Sequence, residues 1–196
     1  MTQVLIVCHS VHGNTLAMAR EAARGVEEID GAEARLRAVE PITSALDPKQ
    51  SELPESGPSL VDRQDLTDCD ALILGSPTRF GNMASSVKYF LDGTGSEWFS
   101  GVMVGKPAGV FTSTSSMHGG QEATLLSMMV PLMHHGMVLV GLPYTEAALR
   151  ETQAGGTPYG PSHVSGMDSD RPMDDNERHL CRVLGRRVAD LAERLK

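Results

Sequence analysis

The stretch Gln3-Val4-Leu5-Ile6-Val7-Cys8-His9-Ser10-Val11-His12-Gly13-Asn14-Thr15-Leu16-Ala17-Met18-Ala19 decides the fold. An unbroken apolar run ends at Cys8, a loop of mostly polar and small residues follows, and helical spacing begins at Leu16. This reads as buried strand, tight loop and helix. A helix N-terminus presents unpaired N–H groups and a partial positive charge, so a loop that feeds one from a buried strand is a ready anion site. Ser10, Asn14 and Thr15 add side-chain donors there, and Gly13 permits close approach or a positive φ. No Lys or Arg lies between Cys8 and Met18, which excludes a Walker A loop. One glycine is too few for Gly-x-Gly-x-x-Gly. What remains is an uncharged, hydroxyl-rich cradle suited to one terminal phosphate. The same residues also read as an ordinary β–α turn with Asn14 or Thr15 as the helix N-cap.

Outward from this unit, Thr15 to Glu28 reads as a helix, and Ala32–Val39 alternates apolar and charged residues like a strand at a sheet edge. Asp70–Gly75, Ala108–Thr112 and Met137–Leu142 are further apolar strands. Helical patterns cover a turn around Leu60–Leu66, Met83–Leu91 with Asn82 as its cap, Gln121–His135 and Met173–Lys196. Trp98 and Phe99 fall in a loop. The alternation predicts an α/β fold, a doubly wound five-stranded parallel sheet of order 2-1-3-4-5, in one domain spanning 1–196. Surface insertions are expected near 41–57 and 143–172. The second is long for a structureless loop, and such loops tend to be functional.

Composition narrows the class. The 196 residues are 40% hydrophobic and 21% charged, as in soluble globular chains, and the net charge of −8 argues against nucleic acid. Apolar runs are strand-sized, too short to span a bilayer, and the N-terminus lacks a signal-peptide pattern. Cys8, Cys69 and Cys181 are odd in number and widely spaced, so no disulfide framework is expected, and no metal site either. A cytoplasmic location follows as the expectation.

In a sheet of this order, ligands bind beyond the carboxyl ends of the strands, where strand order reverses. Three polar loops fall there: Ser10–Thr15, Pro77-Thr78-Arg79-Phe80-Gly81-Asn82, and Ser113-Thr114-Ser115-Ser116-Met117-His118-Gly119. Their convergence points to a mononucleotide cofactor.

Ser10-x-x-Gly-Asn-Thr15 is similar to the phosphate loop of flavodoxin-like proteins. The stretch Pro77–Met83 resembles the flavin loop of the WrbA-type NAD(P)H:quinone oxidoreductases. So do Phe90-Leu91-Asp92-x-Thr94-Gly95 with Trp98, Gly119–Glu122, His134–Val138 and Gly155-Gly156-Thr157-Pro158-Tyr159-Gly160. The resemblance implies a flavodoxin-like fold and an FMN enzyme that takes a hydride from NADH or NADPH and reduces quinones by two electrons. It further implies a homotetramer with flavin sites near subunit contacts. By position, Ser10, Val11, His12, Gly13, Asn14 and Thr15 would hold the phosphate. Thr78, Arg79 and Phe80, within Pro77–Asn82, would border the ring, and Ser113–Gly119 would line its ribityl side. His134 would act at the flavin as donor or proton relay, Trp98 would wall the substrate pocket, and His12 would meet the nicotinamide. His12 stands where some members carry a tyrosine, and Ser115–His118 is less glycine-rich than in some members; these departures bear on the detail of substrate stacking more than on the identity of the cofactor. Two other readings share the loops: a flavodoxin-type single-electron carrier, and a non-catalytic flavin-binding regulatory module.

Overall fold

A computed structural model describes residues 1–42 and 57–196. Most of the expected 41–57 insertion lies outside them. The elements run β1 (Thr2–Cys8), α1 (Asn14–Glu27), β2 (Ala32–Ala38), α2 (Arg63–Asp68), β3 (Ala71–Pro77), α3 (Ser85–Asp92) and α4 (Gly95–Ser100). Then come β4 (Pro107–Thr114), α5 (Gln121–His134), β5 (Val138–Leu139), α6 (Ala147–Glu151), β6 (Ser162–Val164) and α7 (Asp175–Arg194). The sheet order is β2-β1-β3-β4-β5, with all pairs parallel, as the alternation predicts. β2 pairs β1 on one side, as its half-wet pattern requires.

The central strands are buried on both faces because successive side chains point to opposite sides of a sheet. Val4, Ile6, Ala71, Ile73 and Phe111 face one way, packing with Met18, Ala22 and Val26 of α1 and Leu180, Leu184 and Val188 of α7. Leu5, Val7, Leu72, Leu74 and Val110 face the other way, packing with Val87, Leu91, Leu125, Met128 and Leu132 of α3 and α5. No helix among the described residues is long and apolar enough to cross a membrane.

Two expectations are corrected at the far edge. Among the described residues the sheet has six strands, not five, and the Met137–Leu142 run contributes only Val138–Leu139. These two residues pair with Pro107 and Ala108, at the start of β4. The chain then leaves the sheet and returns as β6, opposite Thr112, Ser113 and Thr114 at the end of β4. One edge position is thus filled by two short strands. The Gly155–Gly160 stretch makes this possible: a Cβ on Gly160 would sit 2.1 Å from the Val110 carbonyl oxygen. Nor is 143–172 structureless, since it holds α6 and β6.

Smaller departures have local causes. Trp98 and Phe99 lie in the short helix α4, not in a loop. Asn82 does not cap α3: its Oδ1 accepts the adjacent Met83 N–H at 2.8 Å, and the helix starts after Ala84, whose N–H donates to Ser76 Oγ at 2.8 Å. α7 begins with a reciprocal capping box between Asp174 and Glu177.

Candidate cofactor and active site

The phosphate-loop geometry is set by α1. Its N-cap is Gly13, with φ +88° and no side-chain cap, so neither Asn14 nor Thr15 caps the helix. Ser10 Oγ accepts the Leu16 N–H at 3.2 Å, and the Gly13 carbonyl accepts Ala17 N–H at 2.8 Å. Among the described residues, the main-chain N–H groups of Val11, His12, Gly13, Asn14 and Thr15 find no partner within the chain. A Cβ on Gly13 would meet nothing within 4 Å, so the space before these donors is open. Free N–H groups at a positive helix end, with room in front, fit a phosphate. Asn14 differs from expectation in its side chain, whose amide is spent on the Ser169 carbonyl oxygen at 2.9 Å.

The second loop is a tight turn. Arg79 and Asn82 exchange main-chain hydrogen bonds at 2.8 and 2.9 Å, and Phe80 (φ +52°) and Gly81 (φ +74°) occupy its tip. Positive φ at both central residues makes this a type I′ turn. A left-handed phenylalanine is uncommon, and here its ring is fully exposed. The turn therefore holds an aromatic face out beyond the strand ends. The Arg79 guanidinium donates to the Thr78 carbonyl at 2.9 Å. His9, just before the phosphate loop, is half-buried; burial and then the charge of Arg79 push its pKa down. His9, Arg79, Asn82, Met83 and Lys88 share a cleft of about 510 Å³. Sequence reading began the site at Ser10 and missed His9, although it directly follows the central strand.

The third loop is shorter than expected, because Ser113 and Thr114 belong to β4. Ser115, Ser116, Met117 and His118 are exposed beyond it. The two loops are stitched by hydroxyls. Thr112 Oγ1 donates to the Ser76 carbonyl at 2.7 Å and so has only its lone pairs left for Thr78 Oγ1, 3.2 Å away. Thr124 Oγ1 stands 3.3 Å from the same Thr78 oxygen. Thr112→Val is expected to cost about 1–2 kcal/mol in urea unfolding, because it removes the hydroxyl's bonds to the Ser76 carbonyl and to Thr78 Oγ1.

The adjacency of β1, β3 and β4 brings the three loops to one edge. Trp98 and His134 are not there. They meet each other, Trp98 Nε1 donating to the His134 carbonyl at 2.8 Å, in a groove between α3 and α5. Yet α5 starts at the third loop and ends at His134, so at 1.5 Å per residue they lie roughly 20 Å down the sheet. His135 closes α5 with Gly136 after it. Its Nε2 contacts Thr94 Oγ1 at 2.9 Å, and that hydroxyl already donates to the Leu91 carbonyl. Nε2 therefore carries the proton, Nδ1 has no partner among the described residues, and burial lowers the pKa. Cys8 is buried and inert, with its thiol pushed up to about 12 by burial.

A parallel sheet of order 2-1-3-4-5 with three donor-rich loops at its switch point defines a flavodoxin-like mononucleotide-binding protein. The chain belongs to the NADPH-dependent FMN reductase family, whose model matches residues 2–148. It is 42% identical, over 98% of both chains, to a Solidesulfovibrio magneticus protein named NAD(P)H dehydrogenase (quinone). A Geobacter sulfurreducens protein of the same name is 43% identical over 98% of both chains. Among solved structures, the WrbA-like flavodoxin protein of Agrobacterium tumefaciens matches with a TM-score of 0.72 at 27% identity, covering all of both chains. The resemblance to WrbA-type proteins is thereby borne out.

Proposed function

We propose that this chain is a single-domain, FMN-dependent NAD(P)H dehydrogenase that reduces quinones by two electrons. The observation that carries the reading is the row of N–H groups from Val11 to Thr15, unpartnered among the described residues, at the same sheet edge as Phe80 and the third loop. Full-length relatives named for this activity support it.

Bound FMN would supply hydride relay at N5, from NAD(P)H to quinone. The chain's residues would do the rest. The loop Ser10–Thr15 would bind the phosphate through neutral donors. Pro77–Asn82 and Ser113–Gly119 would flank the ring, with N–H donors and Arg79 placed to favour negative charge. His12, exposed at the loop tip, would meet the nicotinamide. One pocket shared by donor and acceptor implies ping-pong kinetics.

Trp98 and His134 would enter this site from a second copy. Their own chain holds them at the far end of the sheet, beside an exposed apolar surface that includes Phe99, Val104, Leu126, Val130 and Met133. Such a surface marks an interface, and a homotetramer is the assembly we propose. A Met133→Asp chain is then expected to run as a smaller species on a sizing column, to keep FMN, and to lose most quinone turnover. Unchanged mass with full turnover would sink the shared site.

The activity is tested by NADH and NADPH consumption with benzoquinone, with and without added FMN. Protein that stays colourless after soaking in FMN and desalting would overturn the reading. So would a stable one-electron form with slow turnover, which marks a carrier.

A further inference from the structure

His163, in β6, is fully buried, and each of its ring nitrogens faces an acceptor. Nδ1 lies 3.0 Å from Glu177 Oε2, and Nε2 lies 3.1 Å from the Arg171 carbonyl oxygen. The carboxylate of Glu177 also accepts N–H groups from Gly155 (3.0 Å), Val164 (3.0 Å) and Asp174 (2.9 Å). Burial alone pushes the Glu177 pKa up; the bonds from His163, Asp174 and Val164 outweigh this and hold it at about 2. Three main-chain N–H donors and the Arg171 guanidinium, 3.3 Å from Oε1, converge on the carboxylate, an array that favours the ionised, accepting form, and a carbonyl oxygen can never donate. A neutral imidazole has one N–H and would point a lone pair at one of these two oxygens. Only the doubly protonated ring donates to both. The charged groups around it are Glu177 of α7, Asp174 at that helix's N-cap and Arg171 of the loop after β6; β4, paired beside it, offers Ser113 and Thr114, which are uncharged.

The loop held by this pair runs to the cofactor site. Ser165 N–H donates to the Thr114 carbonyl at 2.8 Å, and Arg171 N–H to the Ser165 carbonyl at 2.9 Å, closing a strap over 165–171. The Arg171 guanidinium donates to Glu177 Oε1 at 3.3 Å and Asp174 Oδ2 at 3.1 Å. Near the strap's tip Ser169 takes a left-handed conformation, φ +58°, and its carbonyl accepts the Asn14 side-chain amide. Asn14 is the first residue of α1, inside the row of free N–H groups.

We propose that His163 is a positioning residue held as an imidazolium. By donating to Glu177 and to the Arg171 carbonyl at once, it fixes the strap that anchors Asn14 and so sets the phosphate loop. The inference deepens the FMN reading and rests on it.

Nitrogen-15 NMR of the FMN-free protein at neutral pH tests the charge: two protonated ring nitrogens are expected for His163, and a single-proton tautomer overturns the proposal. FMN titration by fluorescence quenching tests the positioning. His163→Gln is expected to weaken FMN binding about tenfold, on the scale of one hydrogen bond to a charged group. Asn14→Ala, which leaves the buried pair untouched, is expected to weaken it similarly. The double variant should lose little more than either single, because both break one chain of contacts. Additive losses, or an unchanged affinity in Asn14→Ala, overturn the positioning role even if His163→Gln folds poorly. A wild-type chain that takes up no FMN overturns the functional reading and this role with it, while the NMR result still decides the charge.

Discussion

Gly120→Ala is expected to lower kcat/KM for quinone reduction by about a hundredfold while leaving a folded protein. Gly120 is the N-cap of α5 with φ +90°, a conformation that costs an L-residue roughly 1–2 kcal/mol. Its added Cβ would stand 2.8 Å from the Gly81 Cα. That neighbour is main chain, in the tight turn that presents Phe80, so it cannot rotate away. Either the turn or the start of α5 must move. Both border the proposed ring site, and a displacement of about 1 Å there is enough for a loss of about 10² in rate. Steady-state kinetics with saturating FMN, beside circular dichroism, is the check. A variant within threefold of wild type would show that the two loops need not touch for catalysis.

The largest effect on stability is expected at Glu177. Its carboxylate is fully buried and ties together Gly155, Val164, His163 and the first turn of α7. Glu177→Gln puts an amide NH2 where N–H groups already point and leaves the His163 cation unpaired, a change that costs about 3 kcal/mol or more. For a chain of this size that is a fall of about 10 °C in Tm. The sign with pH follows from the depressed pKa. A carboxyl at about 2 in the fold against an ordinary 4.5 adds stability that is complete above pH 4.5 and lost as pH falls towards 2. The Tm gap between wild type and variant should therefore be full near neutrality and shrink in acid. A gap that does not depend on pH would mean that the charge of Glu177 does not carry the effect.

Much of this molecule was legible in one dimension. The continuous run Val4–Cys8 against the alternation of Ala32–Ala38 separated a central strand from an edge strand, and that contrast gave the order 2-1-3-4-5. The polar loops after β1, β3 and β4 then had to share an edge, because parallel strands that are neighbours end on the same side. Periodicity failed at 137–142. An apolar run looks the same whether it continues in the sheet or leaves it, and here the chain leaves after Leu139 and returns as β6. It failed also for Asn82 and Asn14. A polar side chain at a helix start suggests a cap, but the one is taken by the adjacent Met83 N–H and the other by Ser169, 155 residues away in sequence.

By itself, then, the sequence determined the layers, the strand order and the polar edge, since burial patterns and strand-end chemistry depend on near neighbours in the chain. The tertiary structure alone decided that His134, with Trp98 bonded to its carbonyl, stands roughly 20 Å from the third loop of its own chain, the length of a 14-residue helix. It alone placed His163 between two acceptors. Both depend on which distant segments meet, and no local pattern encodes that.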